Sequence, residues 1–124
     1  MASASTILRQ TAAIRVGYGL GSWFAPQTMV RAFGLPEMEE DTRYLNAAFG
    51  GRDFSVAGVT EAALRAGRQR EAFWLNASCE ATDLVALLLE VRRRGGIDRT
   101  LAVGIVFNGL GWLSVARTWR TLKS

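Results

Sequence analysis

The fold of this chain is decided by residues 50–58, GGRDFSVAG, where an adjacent arginine and aspartate interrupt a run of small and apolar residues. Two charges among such neighbours are unfavourable unless other polar groups meet them. We therefore predict that Arg52 and Asp53 lie at the centre of a long helix and face polar residues from neighbouring helices. This segment indicates where a functional site would lie, and it does not identify a reaction.

Outward from this segment, apolar periodicity predicts an all-α fold, and no stretch has the alternating pattern of a strand. We expect a four-helix transmembrane bundle that forms a single domain over residues 1–124, with a short amphipathic helix between the first two long helices. The predicted long helices cover residues 6–24, 38–65, 69–93 and 98–120, and the short one covers residues 26–35.

Residues at the ends of these segments support the boundaries. Ser5 and Asp98 are the expected N-caps of the first and fourth long helices, because a short polar side chain there accepts from a free backbone N–H. Pro26 suits the first turn of the short helix, while Gly34 and Gly95 are typical helix stops.

Composition excludes several function classes. The chain carries a net charge of +4, and 14 of its 15 basic residues are arginine. These arginines lie at segment ends without an aromatic platform between them, so no nucleic-acid partner is predicted. Cys79 is the only cysteine and histidine is absent, which leaves no usual ligand set for zinc or haem and no histidine-based catalytic triad. We predict no metal, no cofactor and no cleavable signal peptide.

The distribution of charge favours a membrane protein. Hydrophobic residues make up 49% of the chain and mean hydropathy is +0.11, values that fit either a soluble or a membrane protein. A soluble bundle needs charged outer faces, yet the charges here fall at helix ends and at one level in mid-helix. Residues 100–116 contain no charge at all. The chain is therefore expected to be a multi-pass protein of the cell membrane in contact with lipid, as a monomer, an oligomer or the partner of another membrane protein.

Orientation follows from the positive-inside rule. With both termini on one side, seven basic residues oppose six, which favours cytoplasmic termini. The seven are Arg9, Arg65, Arg68, Arg70, Arg117, Arg120 and Lys123, and the six are Arg31, Arg43, Arg92, Arg93, Arg94 and Arg99.

Several short motifs follow each other in an order that resembles a known family. They are RVGYGLG (15–21), WFAP (23–26), FGLP (33–36), FGGRD (49–53) and ATDL (81–84). This order resembles the small four-helix DoxX-like membrane proteins, and more closely an uncharacterised branch that carries a Gly-x-Arg-Asp signature in its second helix. The resemblance implies the fold and a membrane location, and it implies no activity.

The midpoints of the four predicted long helices are polar. Charged and amide side chains there should lie within about one helical turn, some 5 Å, of a common plane. The candidate polar cluster comprises Arg15, Arg52, Asp53, Glu80, Asp83 and Asn108. With two arginines against three carboxylates, one carboxylate is in excess and should be protonated or otherwise paired if the site is dry.

Contacts within the cluster can be predicted from helix direction. Arg15 is expected to pair with Glu80 or Asp83, since the first and third long helices run parallel. Arg52 and Asp53 are adjacent and point about 100° apart, so a direct pair between them is not expected. Gly17 and Gly21 are expected to let another helix approach closely.

Three functions remain open from sequence. The cluster could bind a small polar or amphipathic ligand in a membrane protein or accessory subunit, with an aspartate as acceptor and an arginine holding an anion. It could serve an acid–base isomerase or cyclase acting on a lipophilic substrate, with Asp83 paired to Glu80 or Asp53. The chain could also be a soluble helical interaction module. An internal salt-bridge network that only fixes helix register is an equal alternative to a binding site.

Overall fold

A computed structural model describes residues 2–124, which form five α-helices and no β-strand. The helices are α1 (Ala4–Phe24), α2 (Pro26–Ala32), α3 (Glu40–Arg65), α4 (Gln69–Arg94) and α5 (Arg99–Lys123). The predicted all-α class is confirmed, and the four long helices and the short one occur in the predicted order.

The start of α1 differs from the prediction. Ser3 is its N-cap, since the Ser3 hydroxyl accepts from the backbone N–H of Thr6 at 3.2 Å. The prediction of Ser5 as N-cap was wrong because the Ser5 hydroxyl has another partner. It accepts from the Gln69 side chain at 2.6 Å and so ties α1 to the first turn of α4.

The other predicted caps and stops are confirmed, but α2 ends at Ala32 and not at residue 35, and α5 continues to Lys123, past residue 120. Asp98 caps α5 by accepting from the backbone N–H of Leu101 at 2.9 Å. Pro26 lies in the first turn of α2. Gly34 and Gly95 follow α2 and α4 with φ of +68° and +71°, a conformation that is favourable for glycine and strained for other residues.

The closest contact between helices joins α1 to α3. A Cβ placed on Gly50 would lie 2.8 Å from the Cβ of Ser22, and one on Gly19 would lie 3.0 Å from the Gly50 carbonyl oxygen. Gly17 faces open space, so the role expected for it was wrong, while Gly21 lies against Met29 of the short helix α2 and not against a long helix. The face that meets α3 carries Gly19 and Ser22 instead, and it also carries Arg15.

The interior of the molecule mixes apolar and polar side chains. Among the described residues the buried apolar ones include Ile7, Leu8 and Phe73, and the largest side chains that are fully buried are Thr60, Thr118 and Ser22. Large apolar side chains are exposed on all four long helices. They include Ile14, Leu20, Leu45, Val59, Trp74, Val85, Leu88, Leu89, Val106, Leu110 and Leu113.

Two helices, α4 and α5, are long and apolar enough to cross a membrane by length and composition. A core helix of a soluble protein passes the same test but is mostly buried, whereas only 28% and 11% of the most apolar windows of α4 and α5 are buried. α1 and α3 do not pass, because glycine and polar residues lower their hydropathy. Charged residues that are exposed or half-buried nevertheless bracket similar stretches of α3, α4 and α5, at residues 44–60, 72–89 and 100–116.

Packing density differs between the two ends of the molecule. The terminal end holds the start of α1, the turn between α3 and α4, and the end of α5, and here the helices bury residues against each other. At the opposite end, none of residues 40–49 of α3 and none of residues 84–94 of α4 is buried. The molecule is therefore closely packed in its terminal half and open between α3 and α4 in its other half.

Candidate functional site

The structure brings all six residues of the predicted polar cluster together. α1 supplies Arg15, α3 supplies Arg52 and Asp53, α4 supplies Glu80 and Asp83, and α5 supplies Asn108. Hydrogen bonds and ion pairs join these side chains into one continuous network at mid-length of the helices.

Arg15 is the centre of the buried part of this network. Its Nη1 donates to Asp53 Oδ1 at 2.8 Å, its Nη2 to Glu80 Oε1 at 3.4 Å and its Nε to Asn76 Oδ1 at 3.2 Å. The Arg15 and Asp53 side chains are only 8% and 7% exposed. Residues 15, 53, 76, 80 and 108 are hereafter the inner cluster.

Glu80 connects the inner cluster to α5. Its Oε2 accepts from Asn108 Nδ2 at 3.1 Å, and the same amide donates to the Glu80 backbone oxygen at 3.1 Å. The Glu80 carboxyl group lies where any side chain at position 111 would be, so Gly111 is required for this contact. Gly104 likewise accommodates Leu87 of α4.

Arg52 and Asp83 form a separate pair at the edge of the network, hereafter the outer pair. Arg52 Nη1 and Nη2 donate to the two Asp83 carboxylate oxygens at 2.8 and 3.3 Å, a bidentate arrangement that is among the stronger ion-pair geometries. The guanidinium also stacks 3.9 Å from the ring centre of Phe49. Unlike Arg15 and Asp53, the outer pair is partly exposed, at 32% for Arg52 and 27% for Asp83.

One carboxylate oxygen links the two groups. Asp53 Oδ1 accepts from Arg15 at 2.8 Å and from Arg52 at 3.4 Å. The expectation that Arg52 would not pair directly with Asp53 was wrong, because the long arginine side chain reaches back along α3. Of the predicted partners of Arg15, Glu80 is confirmed, but the nearest carboxylate is Asp53 and Asp83 pairs with Arg52.

Sequence reasoning left Asn76 and Thr60 out of the cluster. Asn76 Oδ1 accepts from Arg15, and its Nδ2 donates to the Thr60 hydroxyl at 2.9 Å. The available signal was helical spacing, since Asn76 lies one turn before Glu80 and Thr60 lies two turns after Asp53. Both residues were left out of the predicted cluster because they lie one to two turns from the helix midpoints that defined it.

A small cavity of about 10 Å³ adjoins the inner cluster, a volume that fits about one water molecule. It lies between α1, α4 and α5 and extends from Glu80 toward the terminal end. Its lining is Leu8, Thr11, Phe73, Asn76, Glu80, Gly111, Ser114, Val115 and Thr118. The cavity is too small for a larger molecule, and the most exposed ion pair of the network is the outer pair.

Metal chemistry finds no support in the described part of the chain, residues 2–124, where no group of three His, Cys, Asp or Glu residues could hold an ion. Cys79 is a free thiol and half-buried beside Glu80.

No family model, no curated protein and no solved structure matches the chain. The candidate site is therefore interpreted from its own geometry.

Proposed function

We propose that this chain is a multi-pass integral membrane protein that binds a small polar or amphipathic molecule at the outer pair. In this proposal α1, α3, α4 and α5 cross the bilayer and the inner cluster fixes their register. The observation that carries the proposal is an ion pair about one-third exposed, at mid-length of an otherwise apolar outer surface.

The proposed membrane location rests on the apolar outer surface. A soluble monomer rarely exposes large contiguous apolar patches, whereas large apolar side chains are exposed here on all four long helices. The charge-bracketed stretches of α3, α4 and α5 contain 17 or 18 residues, which is about 26 Å of helix and close to the hydrocarbon thickness of a bilayer. The resemblance to DoxX-like proteins supports the same proposal and rests only on the motifs quoted above.

The proposed ligand would supply hydrogen bonds that lipid cannot provide. A central arginine or aspartate costs about 2.5–3.5 kcal/mol to insert, and acyl chains offer it no hydrogen bonds. Arg52 Nε has no acceptor among the described residues, and the Arg52 side chain is 32% exposed. A molecule that accepts from this guanidinium and has an apolar body for the exposed Phe49 ring would suit this site.

The acid–base alternative receives no specific support. A general base needs a carboxylate that is free to accept a substrate proton, but Asp53 and Asp83 each accept from an arginine at 2.8 Å. Glu80 is less tightly paired, but the cavity beside it fits only about one water molecule and no substrate.

Membrane insertion can be tested by fractionation of cells that express the intact chain. We expect the protein in the membrane pellet after an alkaline carbonate wash and in solution only after detergent is added. Recovery in the aqueous supernatant would contradict the membrane proposal and favour the soluble interaction module.

Ligand binding can be tested with a charge-balanced variant. Replacing Arg52 by Met and Asp83 by Leu together removes the outer pair without leaving an unpaired charge. The matched control replaces Arg9 and Glu61 by Gln, which removes an α1–α3 ion pair of 3.0 Å at the terminal end. Mass spectrometry of small molecules that co-purify with each protein should show a species that is present in the wild type and control and lost from the outer-pair variant. Identical profiles from all three proteins, each folded, would contradict the binding proposal.

A further inference from the structure

The inner cluster and outer pair together hold one negative charge more than positive charge. Arg15 and Arg52 oppose Asp53, Glu80 and Asp83, and within residues 2–124 no other cation pairs with these three carboxylates. An uncompensated charge in a dry interior is strongly unfavourable. A proton or a bound cation has to balance it.

The geometry assigns the excess charge to Glu80. Asp53 Oδ1 accepts from both arginines, and both oxygens of Asp83 accept from Arg52. Glu80 has one arginine contact, at 3.4 Å, and one amide contact from Asn108 at 3.1 Å. It is the carboxyl group with the weakest cationic compensation.

The cavity beside Glu80 offers acceptors where a carboxylate would need donors. The Thr11 hydroxyl donates to the Ile7 carbonyl at 3.1 Å, so the Ser114 hydroxyl is the donor in their 2.7 Å contact. The Thr118 hydroxyl donates to the Ser114 carbonyl at 2.8 Å. Each hydroxyl has a single proton, and that proton is already donated elsewhere. The oxygen lone pairs that remain can accept a hydrogen bond in the cavity from a protonated Glu80 or from a water molecule.

The cavity lies on the terminal side of Glu80. Its lining runs along α4 from Glu80 to Phe73 and along α5 from Gly111 to Thr118. On the opposite side of Glu80, Arg15, Asp53 and Asn108 fill the interior.

We infer that Glu80 is a proton-binding site, neutral when the protein is at rest, which exchanges its proton through the water-sized cavity beside it. The ionisable groups around it are Arg15 on α1, Arg52 and Asp53 on α3, and Cys79 and Asp83 on α4, while α5 presents Asn108 and Gly111. The step is a simple proton transfer, in which a hydronium ion gives its proton to the Glu80 carboxylate and is left as water, and water accepts the proton as hydronium on release. The inference concerns the interior and stands apart from ligand binding at the outer pair.

Infrared spectroscopy of the intact protein in lipid nanodiscs tests this inference. We expect the carbonyl stretch of a protonated carboxylic acid at neutral pH, its disappearance as the pH is raised, and its loss in Glu80→Gln. The matched control Glu61→Gln, at the exposed terminal end, should keep the band. Absence of the band from wild-type protein at neutral pH would overturn the inference without any variant, and so would persistence of the band in Glu80→Gln.

Two further arms separate the proton from a metal cation and test the route. A band that appears only when sodium is replaced by choline would show that a bound cation balances the charge, which overturns proton binding.

Val115→Leu narrows the cavity and should slow the shift of the band after transfer to D₂O. Val106→Leu, on the exposed face of the same helix, should not slow it. An equal rate in both variants would overturn the proposed route.

Discussion

At the scale of single residues, Gly50 sets how closely α1 and α3 approach. We predict that Gly50→Ala destabilises the fold by about 1–3 kcal/mol, because its Cβ would overlap Ser22 and crowd the backbone of Gly19. Gly17→Ala is the control, since a Cβ there meets nothing within 4 Å. It should leave stability unchanged or raise it by up to about 1 kcal/mol through helix propensity.

Thermal unfolding in detergent, followed by circular dichroism, measures both changes. Equal effects of the two substitutions would show that helix propensity, not the α1–α3 contact, controls stability at these positions.

The members of the polar network could be predicted from sequence, but their pairing could not. Periodicity placed one polar stripe on each long helix and selected six residues that do meet. Choosing Asp53 as the nearest partner of Arg15 requires the closest approach of α1 and α3, which depends on Gly19 and Gly50 facing each other. Helical spacing does not determine how α1 and α3 are rotated about their axes, so it pointed to Gly17 and Gly21 instead.

At the scale of helices, Asp98 makes the stability of the start of α5 depend on pH. The Leu101 backbone N–H and then the Arg94 guanidinium lower the pKa of the Asp98 carboxyl below its ordinary value of 3.8. Because the folded state holds the carboxylate form, this stabilisation is fully present above the ordinary pKa and is lost as the pH falls through the lowered one.

We therefore predict that the wild type loses stability relative to Asp98→Asn when the pH is lowered from about 7 to about 3. Asparagine still accepts from Leu101 but does not titrate in this range. Unfolding midpoints of the two proteins at both pH values measure this effect. A difference between them that is independent of pH would refute the assigned role of the charge, while Asp98→Ala should weaken the start of α5 at both pH values.

Helix boundaries were predictable because caps and stops are local. Gly34, Gly95 and Asp98 act through their own backbone or through neighbours a few residues away. Ser3 replaced Ser5 as the cap because Gln69, distant in sequence, binds the Ser5 hydroxyl. A boundary that depends on a contact between helices lies beyond what local sequence determines.

At the scale of the whole molecule, four crossings would return the chain to the side on which it starts. We predict that a reporter fused after Ser124 is cytoplasmic, and that one inserted between Gly95 and Gly96 is on the opposite side, in line with the small excess of basic residues at the terminal end. Paired reporters that are active on opposite sides of the membrane measure this. Two reporters on the same side would contradict four crossings.

The shared oxygen of Asp53 has a thermodynamic consequence. Asp53 Oδ1 accepts from both Arg15 and Arg52. A ligand that moves Arg52 away from this oxygen would therefore strengthen the Arg15–Asp53 hydrogen bond and weaken the Arg15–Glu80 contact. Occupancy of the outer pair and proton occupancy of Glu80 would then be linked equilibria. Linkage is reciprocal, so a ligand that changes proton affinity by a given factor has its own affinity changed by the same factor when the proton binds.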